Sequence, residues 1–371
     1  MAGIYFHIPF CKTRCIYCDF FSSANQAEKK EYIDAMCQEL EERKNYLNGQ
    51  TIETVYFGGG TPSQLSARDF EQLFNSIQTY YSELNPEIQE ITLEANPDDI
   101  TSEYLDSIKH LPFNRISLGT QSFNNAELKF LNRRHDAQSA IQAVKLCQKN
   151  GYDNISIDLI YGLPNQTIEI WEENIRQAID LNIQHLSAYH LIYEEDTKLF
   201  SLLEKDKIET VDEDLSLQMF DLLINLLTEA GFHPYEISNF AKPQLESRHN
   251  SAYWKGIHYL GIGAAAHSYN GISRQWNQKF HGAKYRTYPP EIEMIDKKTA
   301  YNDFVLTRMR TMEGVNLNEL QSLFGEQKKE HFLSEAQKHF LSQSLISIDN
   351  YVRLTRKGIF ISDGIMSDLM L

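Results

Sequence analysis

The sequence predicts an α/β fold, a partial (β/α)6 barrel followed by a small winged-helix-like α+β domain. Three observations predict it. Six short runs of strand character recur between longer segments of helical periodicity, several of those strands divide into an apolar and a polar face, and the character of the chain changes after residue 296.

The strand runs are "GIYFHI" (3–8), "TVYFGG" (54–59), "ITLEAN" (91–96), "RISLGT" (115–120), "NISIDLIYG" (154–162) and "HLSAYHLI" (185–192). Between them Phe70, Leu73, Phe74 and Ile77 mark one helical face. Ala140, Ile141, Val144 and Cys147 mark another, with Asp136 as its N-cap and Gly151 just past its end. Strand–helix alternation implies parallel strands joined by crossover helices, and six such units make an open or partial barrel. Residues 1–230 are assigned to it, closing with an amphipathic helix around 214–230 that carries Leu215, Met219, Leu222, Leu223, Leu226 and Leu227. Residues 231–296 read as an irregular, aromatic extension. In 297–371, "LNELQSLFG" and "KKEHFLSEAQKHFLSQ" read as helices and "LISIDN" with "YVRLT" as a hairpin. Ten Lys/Arg against nine Asp/Glu there are too balanced for a DNA-reading surface, which leaves packing or partner docking.

Over the 371 residues a net charge of −16 opposes binding to a phosphate backbone, so no nucleic-acid partner is expected. The longest apolar runs, such as "LLINLL" at 222–227, fall far short of the roughly 18–20 residues that span a bilayer. No basic segment followed by an apolar one opens the chain, and the expected location is cytoplasmic. Five cysteines, an odd number with three crowded together, fit a metal site in a reducing compartment better than a disulfide framework.

Alternate strand residues face opposite ways. Ile91 and Leu93 oppose Thr92 and Glu94; Ile116 and Leu118 oppose Ser117 and Gly119, with Gln121 following; Ile155, Ile157 and Leu159 oppose Ser156 and Asp158. With the apolar faces under the helices, Glu94, Gln121 and Asp158 line the lumen near strand C-terminal ends. A barrel filled only by its own side chains has a bulky, branched interior. The polar lining therefore implies a polar ligand; the alternative is that these groups satisfy one another and water.

Cys11, Cys15 and Cys18 form C-x3-C-x2-C in the loop after the first strand, at the face where such barrels place their chemistry. Three thiolates at this spacing suit a [4Fe-4S] cluster with one iron left open. The competing reading is a zinc site completed by His7. Cys37 and Cys147 fall on apolar faces of predicted helices and read as core thiols.

With "GGGTPS" at 58–63 after the second strand, this pattern resembles the radical S-adenosylmethionine superfamily, which makes residues 1–230 a partial radical-SAM barrel. Gly58, Gly59 and Gly60 let backbone approach a ligand closely. The stretches "YFHIPFCKTRCIYCDF", "YFGGGTPS", "LEANP", "RISLGTQSFN", "LNRRH", "IDLIYGLP", "HNSAYW" and "YLGIGAAAHS" narrow the resemblance to the group of oxygen-independent coproporphyrinogen III dehydrogenases and HemW-type heme chaperones. The resemblance implies that Tyr5, Gly59, Gly60, Thr61, Glu94, Gln121, Arg133 and Asp158 contact S-adenosylmethionine and that Cys11, Cys15 and Cys18 hold the cluster.

The dehydrogenase branch resembles C-x3-C-x2-C-x-C and carries a long segment ahead of the motif. Here Phe20 stands at the last position and ten residues precede Cys11, so the chain sides with the chaperones. That branch is also marked by H-N-x-x-Y-W, present as His249, Asn250, Tyr253 and Trp254. The resemblance makes His249 the candidate heme ligand and His267 a second ligand or a residue of the cluster's surroundings, with heme passed to recipient hemoproteins of the respiratory chain or elsewhere. It also implies a homodimer in equilibrium with the monomer. The alternative function is coproporphyrinogen decarboxylation by a deoxyadenosyl radical.

Overall fold

The computed structural model describes residues 1–81 and 89–371. Each predicted run lies on a strand: β1 (Ala2–Ile8), β2 (Ile52–Gly59), β3 (Glu90–Ala95), β4 (Arg115–Gln121), β5 (Ile155–Tyr161) and β6 (His185–His190). All six are parallel and adjacent in sequential order. Their apolar faces are buried under the crossover helices: Ile91, Leu93, Ile116, Leu118, Ile155, Ile157 and Leu159 all belong to the main core. Phe57 stacks on Phe6 at 4.7 Å and meets Phe70, Phe74 and Phe113 edge-on, which fixes the helix Ala67–Tyr80 against β2.

Helix boundaries follow their caps. Ser66 and Asp69 form a capping box at the start of Ala67–Tyr80. Asp136 accepts from the Ser139 N–H at the start of Ala137–Lys149, and Gly151 follows the end at φ +85°. The helix expected around 214–230 spans Glu213–Glu229, capped by Asp212.

The stretch 231–296, expected to be irregular, holds β7 (His233–Pro234), β8 (Asn239–Ala241), β9 (His258–Ile262), β10 (His267–Tyr269), β11 (Ser273–Trp276) and β12 (Glu291–Met294). Strands of two to five residues are too short for a two-residue period to register in the sequence. They supply both edges of one sheet, ordered β12-β11-β10-β9-β1-β2-β3-β4-β5-β6-β8-β7. Because β9 covers β1 and β8 covers β6, the barrel stays open.

The C-terminal part carries the helices Lys297–Met309, Leu317–Phe324 and Glu326–Leu341 and a sheet of β13 (Val315–Asn316), β14 (Leu345–Ile348) and β15 (Tyr351–Leu354), ordered β13-β15-β14. The expected hairpin is β14–β15, turning through Asp349 and Asn350 at φ +48° and +68°. This part docks on the barrel through Arg356, which reaches Asn225 at 3.0 Å and Asp221 at 2.5 Å, and through Arg308, which donates to the Trp254 carbonyl at 2.7 Å. Among the described residues no helix is long and apolar enough to cross a membrane.

Candidate functional site

At the C-terminal ends of the parallel strands lies a cavity of about 430 Å³ lined by Cys11, Cys15 and Cys18 together with Gly59, Gly60, Thr61, Glu94, Gln121, Arg133 and Asp158. Residues far apart in the chain meet there because they sit on the parallel strands or in the segments that follow the strands' C-terminal ends. The cysteine loop is tied down at both ends and in the middle. Ser23 exchanges backbone bonds with Cys11 (3.0 Å) and Pro9 (2.7 Å), Ile16 N–H donates to the Leu131 carbonyl (3.3 Å), and Asn132 donates to the Arg14 carbonyl (2.8 Å).

Two sulfurs have donors. The Thr61 hydroxyl lies 3.3 Å from Cys11 Sγ, and Arg133 Nη1 lies 3.3 Å from Cys15 Sγ. Arg133 Nη2 also donates to Asn96 Oδ1 at 2.6 Å and to the Gly119 carbonyl. Three half-buried thiols with hydrogen-bond donors aimed at sulfur fit cluster ligation. The zinc alternative fits poorly. His7 is 4 % exposed, and its Nε2 bonds the Phe21 carbonyl at 2.9 Å while Nδ1 lies 3.3 Å from Tyr5 Oη.

The glycines act by what they lack. Gly59 has φ +104°, and a Cβ there would come within 2.6 Å of the His7 ring. A Cβ on Gly60 would meet the Ile8 carbonyl at 2.8 Å, the group that its own N–H bonds at the same distance. Gln121 enters the cavity past a register shift between β4 and β5 and sits at φ +68°, a left-handed conformation uncommon for a side-chain-bearing residue.

The cavity's carboxyls are short of positive partners. Burial pushes Glu94 up to about 7, with the charge of Asp158 adding to it and the Tyr56 hydroxyl, 2.6 Å from Oε1, opposing it. Burial likewise pushes Asp158 up to about 6, opposed by Ser187 and by the Arg115 and Arg133 cations. A ligand carrying positive charge or hydroxyl donors would hold both in the ionised form. The site therefore fits a polar, cationic molecule beside three thiols.

Comparison with known proteins bears on the same residues. The family model described as the Radical SAM superfamily matches residues 5–178, and that of the HemN C-terminal domain matches 295–361. The heme chaperone HemW of Lactococcus lactis is 33% identical over 99% of this chain and 97% of its own length. The chain belongs to the HemW family. HemW of Escherichia coli is 33% identical over 84% of this chain and 83% of its own. Among solved structures, coproporphyrinogen III oxidase (HemN) of Escherichia coli, described as a radical SAM enzyme, superposes with a TM-score of 0.85 at 22% identity, covering 100% of this chain and 90% of that one. That likeness establishes a shared fold.

Three residues expected at the HemW-family site, Tyr5, His249 and His267, lie elsewhere. Tyr5 sits one layer below the cavity, stacked with Tyr56 at 6.1 Å and reaching it through the Tyr56–Glu94 bond. His249 departs further from expectation. It starts the helix Arg248–Trp254, is 2 % exposed, and points into the barrel with both ring nitrogens engaged: Nδ1 with Thr54 Oγ1 at 2.8 Å and Nε2 with Tyr253 Oη at 2.9 Å. Burial, reinforced by the nearby Arg115 cation, lowers it to about 3. An axial ligand needs a free nitrogen, and this arrangement offers none. Glu90 locks the helix start by accepting from the Ser247 hydroxyl and the Arg248 and His249 N–H groups. His267 is exposed, stacked on Trp276 at 5.9 Å, and outside the cavity. Cys147 is fully buried as expected, while Cys37 is half-buried.

Sequence reading missed Asn96 and Asp99. Asn96 lines the cavity and orients Arg133; its presence in "LEANP" was the available signal. Asp99 gathers Lys12, Ser63, Gln64 and Arg134, tying the cysteine loop to the Gly-rich turn.

Proposed function

We propose that this protein is a cytoplasmic heme chaperone that carries a [4Fe-4S] cluster and S-adenosylmethionine, binds heme and hands it to hemoproteins, those of the respiratory chain among them, as a monomer in equilibrium with a homodimer. One observation carries the reading: a full-length likeness to HemW chaperones coincides with a cavity whose three thiols have Phe20, 61 % exposed, where the dehydrogenase pattern has a fourth cysteine.

In this reading Cys11, Cys15 and Cys18 hold the cluster, and Thr61 and Arg133 donate to the sulfurs. Gly59 and Gly60 open the backbone to the methionine end of S-adenosylmethionine. Glu94 and Asp158 accept from its hydroxyls and balance its positive charge, Gln121 bonds its polar edge, and Tyr5 supports Glu94 from below through Tyr56. The bound cofactor supplies redox chemistry; the protein supplies position, charge balance and exclusion of water. Phe20 neither ligates a metal nor donates a proton, which disfavours coproporphyrinogen decarboxylation.

The test is anaerobic reconstitution followed by hemin titration with and without S-adenosylmethionine, alongside an assay of coproporphyrinogen conversion. The expected outcome is a cluster spectrum, saturable hemin binding and no conversion. Conversion without hemin binding would sink the chaperone reading.

A further inference from the structure

A second cavity, about 820 Å³, opens at the opposite end of the barrel, below the N-terminal ends of β1 and β2. Its size is within the range of cofactor pockets. One wall is the outer face of the helix Arg248–Trp254, whose inner face carries His249. The other walls come from the starts of β1 and β2, from β7, from residues 244–246 and from the end of Lys297–Met309 with the segment after it.

Its lining joins a histidine and apolar side chains to charges of both signs, Arg248, Lys255 and Arg308 with Glu53, Glu246 and Glu313. His233 lines the cavity, and its Nε2 bonds Glu246 Oε1 at 2.6 Å, leaving Nδ1 without a partner among the described residues. A carboxylate accepting from one ring nitrogen is the usual support of a metal-ligating histidine: it fixes the tautomer and makes the other nitrogen a stronger donor. Trp254 and Met312 supply flat and soft apolar surface. The Trp254 Nε1 is buried without a hydrogen-bond partner, and its ring is held by the Arg310 guanidinium at 5.1 Å. Arg248 and Lys255 line the same cavity and have no ion-pair partner among the described residues, as two propionates require.

We propose that this basal cavity is the heme pocket, with His233 Nδ1 ligating the iron, Trp254 and Met312 against the macrocycle and Arg248 and Lys255 on the propionates. His249 is then a packing residue behind the wall, where its bonds to Thr54 and Tyr253 hold the helix that forms the pocket. The assignment rests on the heme-carriage reading and names the site that reading lacks.

The experiment is hemin titration of the full-length protein, read by the Soret band and, after reduction, by the iron–histidine stretching mode in resonance Raman spectra. His233→Ala is expected to raise the hemin Kd by at least about a hundredfold, with added imidazole restoring the spectrum, because the lost group is the iron ligand itself. Glu246→Gln keeps the fold at a half-exposed position. It is expected to weaken binding about tenfold and to lower the iron–histidine frequency, because a neutral amide makes the imidazole a poorer donor. Wild-type affinity and an unchanged frequency in both variants would overturn the assignment while leaving heme carriage standing. Absence of hemin binding by the wild type would instead remove the chaperone reading itself.

Discussion

Toward the C-terminal ends of the parallel strands the cavity gathers thiols from the loop after β1, carboxyls from β3 and β5, and an amide and a guanidinium from the end of β4 and the segment after it. At their N-terminal ends the cavity wall is built largely from elements C-terminal to the barrel: β7, the helix Arg248–Trp254 and the segment around Met312. The first site belongs to the barrel and is held by dense bonding, with Arg133 alone reaching Cys15, Asn96 and Gly119. The second is an addition, walled by elements that close the sheet edges, and its cations Arg248 and Lys255 are unpaired among the described residues. On the proposed assignment, one scaffold keeps redox cofactors and cargo on separate faces, roughly 20 Å apart along a seven-residue strand at about 3.3 Å per residue.

The largest expected effect breaks one end alone. Cys15→Ser removes one of three thiolates, and anaerobically reconstituted protein is expected to lose its iron–sulfur absorption. The hemin midpoint is expected to move by no more than about twofold, since sites this far apart couple by only a few tenths of a kcal/mol. Joint loss of iron and hemin binding would show that the two ends are one site.

A second substitution pair measures the difference in bonding. Arg133→Met strips donors from a sulfur, an amide and a carbonyl in a buried setting. It is expected to cost about 3–4 kcal/mol in denaturant melts and to weaken S-adenosylmethionine binding at least about tenfold. Arg248→Met at the base, exposed and unpaired among the described residues, is expected to shift stability by less than about 0.5 kcal/mol. Equal losses would erase the contrast.

How much of this could be read in the sequence divides along the same line. The barrel and its mouth are legible because period-2 alternation survives in strands of six to eight residues, and alternation alone places Glu94, Gln121 and Asp158 in the lumen. Cys11, Cys15 and Cys18 were legible from spacing. The short strands β7 to β12 were not, since two to five residues carry no period. His249 misled because a motif names a residue without naming the side of the helix it faces: one turn of Arg248–Trp254 separates a wall of the basal cavity from the barrel interior. The basal cavity has a sequence signature only in Trp254 of the H-N-x-x-Y-W motif, since His233, Trp254 and Met312 come from three segments that meet only in the fold.

The smallest effect sharpens the electrostatics of the mouth. Glu94 folds with its carboxyl raised by burial from the ordinary value of 4.5 to about 7. The folded state therefore holds a proton that the unfolded chain releases. Its stabilising contribution is full below about pH 4.5 and is lost as the pH rises through about 7. Glu94→Gln keeps the Tyr56 bond without the ionisation. In ligand-free protein its stability relative to wild type is expected to improve by about 2–3 kcal/mol between pH 4.5 and 8. The buried histidines, His7 lowered to about 4 and His249 to about 3 by burial, add the opposite slope below pH 6.5 to both proteins alike, so the difference between the two melting curves reports Glu94 together with its coupling to the Asp158 charge. S-adenosylmethionine is expected to stabilise wild type more than the variant, because only a carboxylate balances its positive charge. A gap that stays flat with pH would mean that Glu94 is already paired, and that the mouth is no more in need of a cationic ligand than the base.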